Sequence, residues 1–518
     1  MPTFGRLLEL LGSLAADQQA ATTAPPGPLL CVAPAGSGKT TTLVARLAWR
    51  LAHGTAPDRT CAVTFNRRAA TNLRARLAPL LAEQGLAPDA VRVRTFHALG
   101  REILSDAGRP DRQVVDRQTV LRHMTGGRLA PASLRRLDDA IGRAKLDPGA
   151  RTVPRGSLGA YQRVLAEAGA IDHDDLISEA IGLLTSEPAL RDRWRERCAA
   201  LLVDEVQDLD HAQWRLARLL SSPRDDLFLV GDDDQTIYAW RLADARRMLG
   251  LAAELPGVRR IDLHTNYRCP AAVVERAAQL VAHNQERLAK HVRAGPDGGG
   301  ALILVADPGD DVARARQLLG RWAHELRTAP LAGPSHAILA RTTAELAPYA
   351  AIALELGLPY WAERDDLSFD PGDRSSIPGW AFGLPLEGTA TSPLALRPAL
   401  ASARARRAEL RRRDAPLQLA TVHATKGLEF EAVACVGLDD GRFPNVRALQ
   451  ATDEPARHLE EERRLAYVAW TRARRTLELV YDPGGPSAFI REAFHDRELR
   501  RADAAGTLEI APRHGRRA

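Results

Sequence analysis

The sequence predicts an α/β protein built on two parallel sheets, and three observations carry that expectation. Along most of the 518 residues, short apolar runs alternate with stretches of helical periodicity, the mark of layered strands and helices. The apolar runs are continuous rather than alternating, as strands covered on both faces require. A small-residue turn, APAGSGKT (33–40), separates the first run from a helical segment.

Taken in order, the first series of strands is predicted at 29–33, 61–65, 91–95, 200–203, 227–230 and 259–263. A second series follows at 301–305, 337–340, 417–422, 432–437 and 476–481. Residues 100–199 read as a helical, Arg-rich insertion between the third and fourth strands. VRAGPDGGG (292–300) has the composition of a flexible linker. Residues 362–398 lack sustained periodicity and read as a loop-rich excursion, and RHGRRA closes the chain as a frayed basic tail.

Hydrophobic residues make up 45% and charged residues 26%, the balance of a globular chain, and the length suggests about three or four domains. No apolar run approaches the ~18 residues needed to span a bilayer. The apolar opening stretch carries acidic residues, which argues against a signal peptide. A cytoplasmic protein with no membrane partner is expected. Cys31, Cys61, Cys198, Cys269 and Cys435 are scattered and read as buried thiols of a reducing compartment. The balance of 71 basic against 65 acidic residues, +6, is compatible with nucleic acid without demanding it. Only Lys39, Lys145, Lys290 and Lys426 are lysines, leaving 67 arginines. Genomic base composition accounts for the bias, and it singles out each lysine that remains.

APAGSGKT between a strand and a helix is the context of a phosphate-binding loop. Ala35, Gly36, Ser37 and Gly38 are small enough for backbone N–H groups to converge on phosphate oxygens. Lys39 would then bridge the β- and γ-phosphates and Thr40 would hold Mg²⁺, which implies ATP–Mg²⁺ as ligand. LLVDEVQD (201–208) ends a strand in Asp204 and Glu205. An isolated pair of this kind often caps a strand; beside a phosphate loop, Asp204 meets the metal and Glu205 the attacking water. VGDDDQTIYAW (230–240) adds Gln235 as a γ-phosphate or water contact, with Tyr238 and Trp240 nearby. Trp240 is either a stacking surface for a base or a core residue. TNYR (265–268) offers Tyr267 as a ring for the adenine and Arg268 as a cation for the phosphate. EERRLAYVAWTRAR (461–474) reads as a helix packed through Leu465, Val468 and Tyr467 that ends at Arg472, in the manner of an arginine finger.

This string of motifs resembles the UvrD/Rep family of superfamily 1 DNA helicases, in the family's order and over most of the chain. Gln18, in LAADQQAAT, resembles the adenine-reading glutamine. VTFNRRAA (63–70) and RTFHAL (94–99) resemble strand-end motifs that meet single-stranded DNA, which implicates Phe65, Thr95 and His97. Tyr238, Trp240 and Arg241 follow in the next DNA-facing segment. TVHATKGLEF (421–430) resembles a motif that touches DNA through His423 and Lys426 and the ribose through Glu429, although Lys426 also reads as a packing support for its loop. PSAFI (486–490) resembles the segment after the last strand.

The resemblance implies two RecA-like parallel-sheet P-loop domains with ATP–Mg²⁺ in the cleft between them and single-stranded DNA across both. The first RecA-like domain is expected over 1–99 and 200–264, interrupted by the insertion at 100–199. The second is expected over 265–361 and 415–490, interrupted by a reduced insertion at 362–414, with a basic tail over 491–518. The implied activity is ATP-dependent, 3′-to-5′ translocation and strand separation in DNA repair or replication, on single strands and single-strand/duplex junctions. Three departures qualify it. Thr41 stands where many relatives carry an Arg near the adenine, Asn66 and Arg67 replace a Thr-Asn pair, and the second insertion is short. The last keeps open a translocase or motor subunit that unwinds poorly alone, with a protein partner regulating unwinding. A nucleotide-switched regulator of nucleic acid has no need of Glu205, and the residues after Tyr481 are too few for a nuclease domain.

Overall fold

The computed structural model describes residues 5–147, 156–238, 244–296, 298–363, 405–450 and 454–512. The chain divides into two compact units, residues 1–264 with 286–290 and residues 265–285 with 291–518.

The sheet of the first unit holds β1 (Leu29–Val32), β2 (Thr60–Thr64), β3 (Arg92–Thr95), β4 (Ala200–Asp204), β5 (Leu227–Gly231) and β6 (Arg259–Asp262). Its strand order is β3-β2-β4-β5-β1-β6, and every pairing is parallel. Side chains alternate across a strand, and here both faces are covered. Leu30, Val32, Cys61, Val63, Leu201, Val203, Leu227 and Leu229 enter one core, while Leu29, Cys31, Ala62, Val93, Leu202, Phe228 and Val230 enter the other. That double burial is why the strands read as unbroken apolar runs.

The helix Lys39–Ala52 follows β1 and buries Leu43, Leu47 and Leu51 at helical spacing, with Val44 and Ala48 beside them. Each buried leucine contributes about 1.5–3 kcal/mol, so the helix that carries the phosphate loop is pinned to the sheet. Its start is set by the loop, and His53 caps the other end.

Between β3 and β4 the chain is mostly helical, as expected of 100–199, and its helices divide between two cores. A separate small core of Leu121, Leu134, Ile141, Tyr161, Leu165 and Ala170 lies within that stretch. The helices His173–Ser186 and Pro188–Arg197, by contrast, place Leu176, Ile177, Leu184, Leu190 and Trp194 in the core of the main sheet. Sequence periodicity shows that these helices have apolar faces but not which core receives them.

The second unit's sheet holds β7 (Ala301–Ala306), β8 (His336–Ala340), β9 (Tyr360–Ala362), β10 (Leu417–Thr421), β11 (Phe430–Cys435), β12 (Ala473–Tyr481) and β13 (Thr507–Ile510). The order is β9-β10-β8-β11-β12-β7-β13. All pairings are parallel except β13, which runs antiparallel to β7. The five strands expected of the second sheet are parallel, and β13, a strand not expected, joins its edge antiparallel.

The same strand corrects the basic tail expected over 491–518. Helix Asp496–Ala505 buries Leu499 and Ala502, Gly506 ends it at φ +72°, and β13 buries Ile510. Tyr481 donates to Asp503 at 2.8 Å and Arg276 reaches Glu498 at 2.5 Å, so the charged residues that disguised this segment are its anchors. Residues 513–518 and most of the reduced insertion, 364–404, lie outside the described residues.

Among the described residues, no helix is long and apolar enough to cross a membrane. All five cysteines are buried free thiols.

Candidate active site

β4, β5 and β1 are neighbours, so their carboxyl ends bring three motifs of the first unit together. Ligands of open α/β sheets bind at that edge. The phosphate loop turns through Gly36 and Gly38, at φ +70° and +80°, values that favour glycine. A Cβ on Gly38 would also stand 2.4 Å from Gln18 Nε2. The helix Lys39–Ala52 begins at Gly38 with no side-chain cap, which leaves its first N–H groups for an anion. The buried Ser37 hydroxyl has no hydrogen-bond partner among the described residues. Uncapped donors and an orphaned hydroxyl in a small-residue turn fit a phosphate chain.

Gln18 is buried, donates from Nε2 to Ser37 O at 2.8 Å and accepts from Ala15 N at 3.0 Å. Both ends of its amide thus brace the loop and the start of its own helix.

Lys39 Nζ lies 2.7 Å from Glu205 Oε2. Burial works against the ammonium, but Glu205 and Asp204 outweigh it and hold Lys39 above its ordinary value. Asp204 ends β4 in a buried position, where burial and then the Glu205 charge push its carboxyl up to about 7. A bound cation would reverse that shift. Glu205 sits at φ +55°, ψ +46°, a left-handed conformation costing a non-glycine residue on the order of 1–3 kcal/mol and concentrated at functional sites. Its N–H donates to Asp204 Oδ1 at 3.0 Å, and Gln207 Nε2 donates to its Oε2 at 2.5 Å.

The end of β5 carries Asp232, Asp233, Asp234 and Gln235, all buried. Gln235 Nε2 donates to Asp232 Oδ2 at 2.8 Å. Lys290 Nζ lies 2.5 Å from Asp232, 2.6 Å from Asp233 and 2.9 Å from Asp234. Arg287 adds a two-pronged pair with Asp234 at 2.8 and 3.2 Å. Burial opposes the Lys290 charge, yet the three carboxylates hold its pKa far above normal.

Elsewhere in the first unit, Phe65 and Tyr238 stack with centroids 5.0 Å apart and planes at 20°. Thr95 caps the helix Phe96–Asp106 by accepting from Ala98 N, and His97 meets the edge of His173 at 5.8 Å. Asn66 caps Arg67–Glu83 in the same way, which gives that departure a local structural reason. Trp240 and Arg241 lie outside the described residues.

In the second unit, Tyr267 is 50% exposed, unusual for so large a ring. Arg268 donates to Glu429 at 2.8 Å and to Thr471 O at 3.2 Å. Arg472 is buried, with donations to Val468 O and Leu428 O. The helix Pro455–Trp470 is buried all round over its last two turns rather than on one side. Its charged residues are paired, Arg463 with Glu492 and Glu462 with Arg341. His423 is pushed down to about 4, chiefly by burial and then by Arg341, while Lys426 is partly exposed on the same turn.

Residues 14–130 and 150–256 match the UvrD/REP helicase N-terminal domain, and residues 395–483 match the UvrD-like helicase C-terminal domain. The ATP-dependent DNA helicase UvrD2 of Mycobacterium tuberculosis is 30% identical over 93% of this chain and 81% of its own length. This chain belongs to the UvrD/Rep helicase family. DNA helicase II of Escherichia coli is 29% identical over 91% of the chain and 85% of its own length. PcrA of Staphylococcus epidermidis is 29% identical over 56% and 43%.

Within a UvrD/Rep frame, the structure supplies partners that motif spacing missed. Lys290 and Arg287 complete the acidic strand end from more than fifty residues away; the rarity of lysine in this chain was the signal that pointed to one of them. Arg76, from the helix Arg67–Glu83, donates to Thr41 Oγ1 at 2.7 Å. A guanidinium therefore reaches position 41, where the sequence itself has none.

Proposed function

We propose that this UvrD/Rep-family chain is an ATP-dependent DNA helicase that moves 3′-to-5′ along single-stranded DNA and separates strands at junctions, in DNA repair or replication. The observation that carries the reading is the 2.7 Å meeting of Lys39 with Glu205, a phosphate-loop cation against a carboxylate suited to orient water. The names of the relatives, DNA helicase II and ATP-dependent DNA helicase UvrD2, agree with it.

In this reading Ala35, Gly36, Ser37, Gly38 and Lys39 hold the phosphates of ATP, and Glu205 and Gln235 orient the attacking water. Thr40 and Asp204 offer the oxygen ligands that Mg²⁺ prefers, and Mg²⁺ supplies charge neutralisation on the phosphates. Tyr267 stacks on the adenine, Gln18 sets the loop beside it, and Glu429 meets the ribose. Arg268 and Arg472 stabilise charge that develops at the γ-phosphate. Phe65, Tyr238 and Trp240 offer rings to bases, and Thr95, His97, Arg241, His423 and Lys426 contact the DNA backbone.

The test is steady-state ATPase at one salt concentration without nucleic acid, then with single-stranded DNA, duplex DNA and single-stranded RNA. Stimulation by single-stranded DNA is expected, together with unwinding of 3′-tailed but not 5′-tailed duplexes. Turnover indifferent to all three nucleic acids would overturn the reading.

A further inference from the structure

The three strand ends of the first unit are joined by one run of polar contacts, with Gln207 at its centre. Gln207 lies in the short turn Val206–Asp208, buried three residues beyond Asp204. Its Nε2 donates to Glu205 Oε2 at 2.5 Å, and its Oε1 accepts from Asp232 N at 3.1 Å. Asp232 in turn accepts from Gln235 Nε2 at 2.8 Å through one oxygen and from Lys290 Nζ at 2.5 Å through the other. The run therefore links the carboxylate at the end of β4 to the glutamine beyond the end of β5.

The orientation of Gln207 has a single solution. An amide has one accepting and one donating end, whereas a backbone N–H only donates and a carboxylate only accepts. Asp232 N–H therefore claims the oxygen, and the NH₂ group is left facing Glu205. The seat for that oxygen requires a bare backbone on β5, because a Cβ on Gly231 would stand 2.3 Å from Gln207 Oε1 and 2.8 Å from a Val206 methyl.

Lys39 shares the same Glu205 oxygen, at 2.7 Å. The two partners differ in what a nucleotide does to them. A triphosphate concentrates negative charge and attracts the ammonium, whereas the neutral amide of Gln207 is tied at its other end to β5. We propose that Gln207 is a positioning residue of the ATPase site. It keeps the Glu205 carboxylate aimed when Lys39 turns to the phosphates, and it holds that carboxylate in register with Gln235 through Asp232. The proposal rests on the reading of Glu205 as the water-orienting group.

The test uses the full chain with saturating single-stranded DNA. Gln207→Met keeps the length of the side chain and removes both hydrogen bonds. Gln207→Glu keeps an acceptor for Asp232 N–H and sets a like charge against Glu205. Misplacing a reacting group costs up to about a hundredfold in rate, so Gln207→Met is expected to lower kcat about tenfold to a hundredfold. KM for ATP should stay within about threefold, because the interaction serves the transition state and not binding. Gln207→Glu is expected to be slower still.

In a Glu205→Gln background, measured in single turnover, Gln207→Met should cost less than about twofold more, since residues acting as a unit are non-additive. Three results would overturn the proposal: kcat within about twofold of the parent in both Gln207 variants, losses in kcat matched by losses in ATP affinity, or fully additive losses in the double variant. If Gln207→Met does not fold, Gln207→Glu carries the comparison. Near-normal turnover in Glu205→Gln alone would be a different failure, removing the role of Glu205 itself.

Discussion

Lys39 and Glu205, 166 positions apart in the sequence, meet at 2.7 Å through Nζ and Oε2. In this position the ammonium of the phosphate loop neutralises the carboxylate of the next motif. The pair fixes the two side chains against each other at the end of β4. On the proposed reading, replacing either should cripple hydrolysis, for different reasons. Lys39→Ala should lose phosphate binding, and Glu205→Gln should lose the group proposed to orient water. In Glu205→Gln, kcat should fall by at least about a hundredfold while ATP affinity, read with a fluorescent analogue, stays near that of the parent. Lys39→Ala should lose both.

Lys290 is expected to matter for stability. It is almost fully buried among Asp232, Asp233 and Asp234, so Lys290→Met leaves three carboxylates with Arg287 as the one remaining ion-pair partner among the described residues. Removing one partner of a buried ionic cluster costs about 3–5 kcal/mol. Denaturant unfolding should show that loss, and Arg287→Ala should lose less because its guanidinium is less buried and pairs with Asp234 alone. A Lys290→Met protein as stable as the parent would contradict the ion cluster as an anchor.

Tyr267 presents the opposite case. Half its surface is open, so Tyr267→Ala should change stability by no more than about 0.5 kcal/mol. If the ring stacks on adenine, KM for ATP should rise roughly tenfold, the scale of one base–aromatic stack. Tyr267→Phe should restore it, because stacking needs the ring and not the hydroxyl.

His423 should remain neutral at physiological pH. Its pKa is about 4 in the fold against 6.5 in an exposed chain, lowered by burial, then by Arg341 and also by Lys426, with Glu462 in opposition. Between those values the unfolded state binds more protons. Its contribution to stability is therefore whole above about pH 6.5 and lost as pH falls toward 4. His423→Gln should flatten that loss in unfolding midpoints measured from pH 7 to 4.5. The same shift means that any change in DNA affinity between pH 6 and 8 should persist in His423→Gln.

Much of the site was legible in the chain because its chemistry is local. The spacing in APAGSGKT puts Lys39 and Thr40 at a helix start, and LLVDEVQD puts two carboxylates at a strand end. Those relations depend only on the geometry of a turn and a strand, and the observed β1, β4 and β5 place them at one edge. The tail was misread because Leu499 and Ile510 are sparse apolar points in a charged stretch. Their burial depends on β7 offering an open edge, which no local pattern records. Which core receives each helix of the insertion was not legible for a related reason, since an amphipathic helix states that it has an apolar face and not which core will take it.

The sequence by itself therefore determined the α/β layering, the two strand series and the phosphate-loop and acidic motifs, all set by periodicity and short-range spacing. Only the tertiary structure decided that Gln207 bridges Glu205 to Asp232, that Lys290 neutralises three aspartates, and that Arg76 reaches Thr41. The physical reason is common to all three. A buried polar group must find a partner of complementary charge or hydrogen-bonding sense. Which partner it finds is settled by the strands and helices that packing brings alongside, and not by distance along the chain.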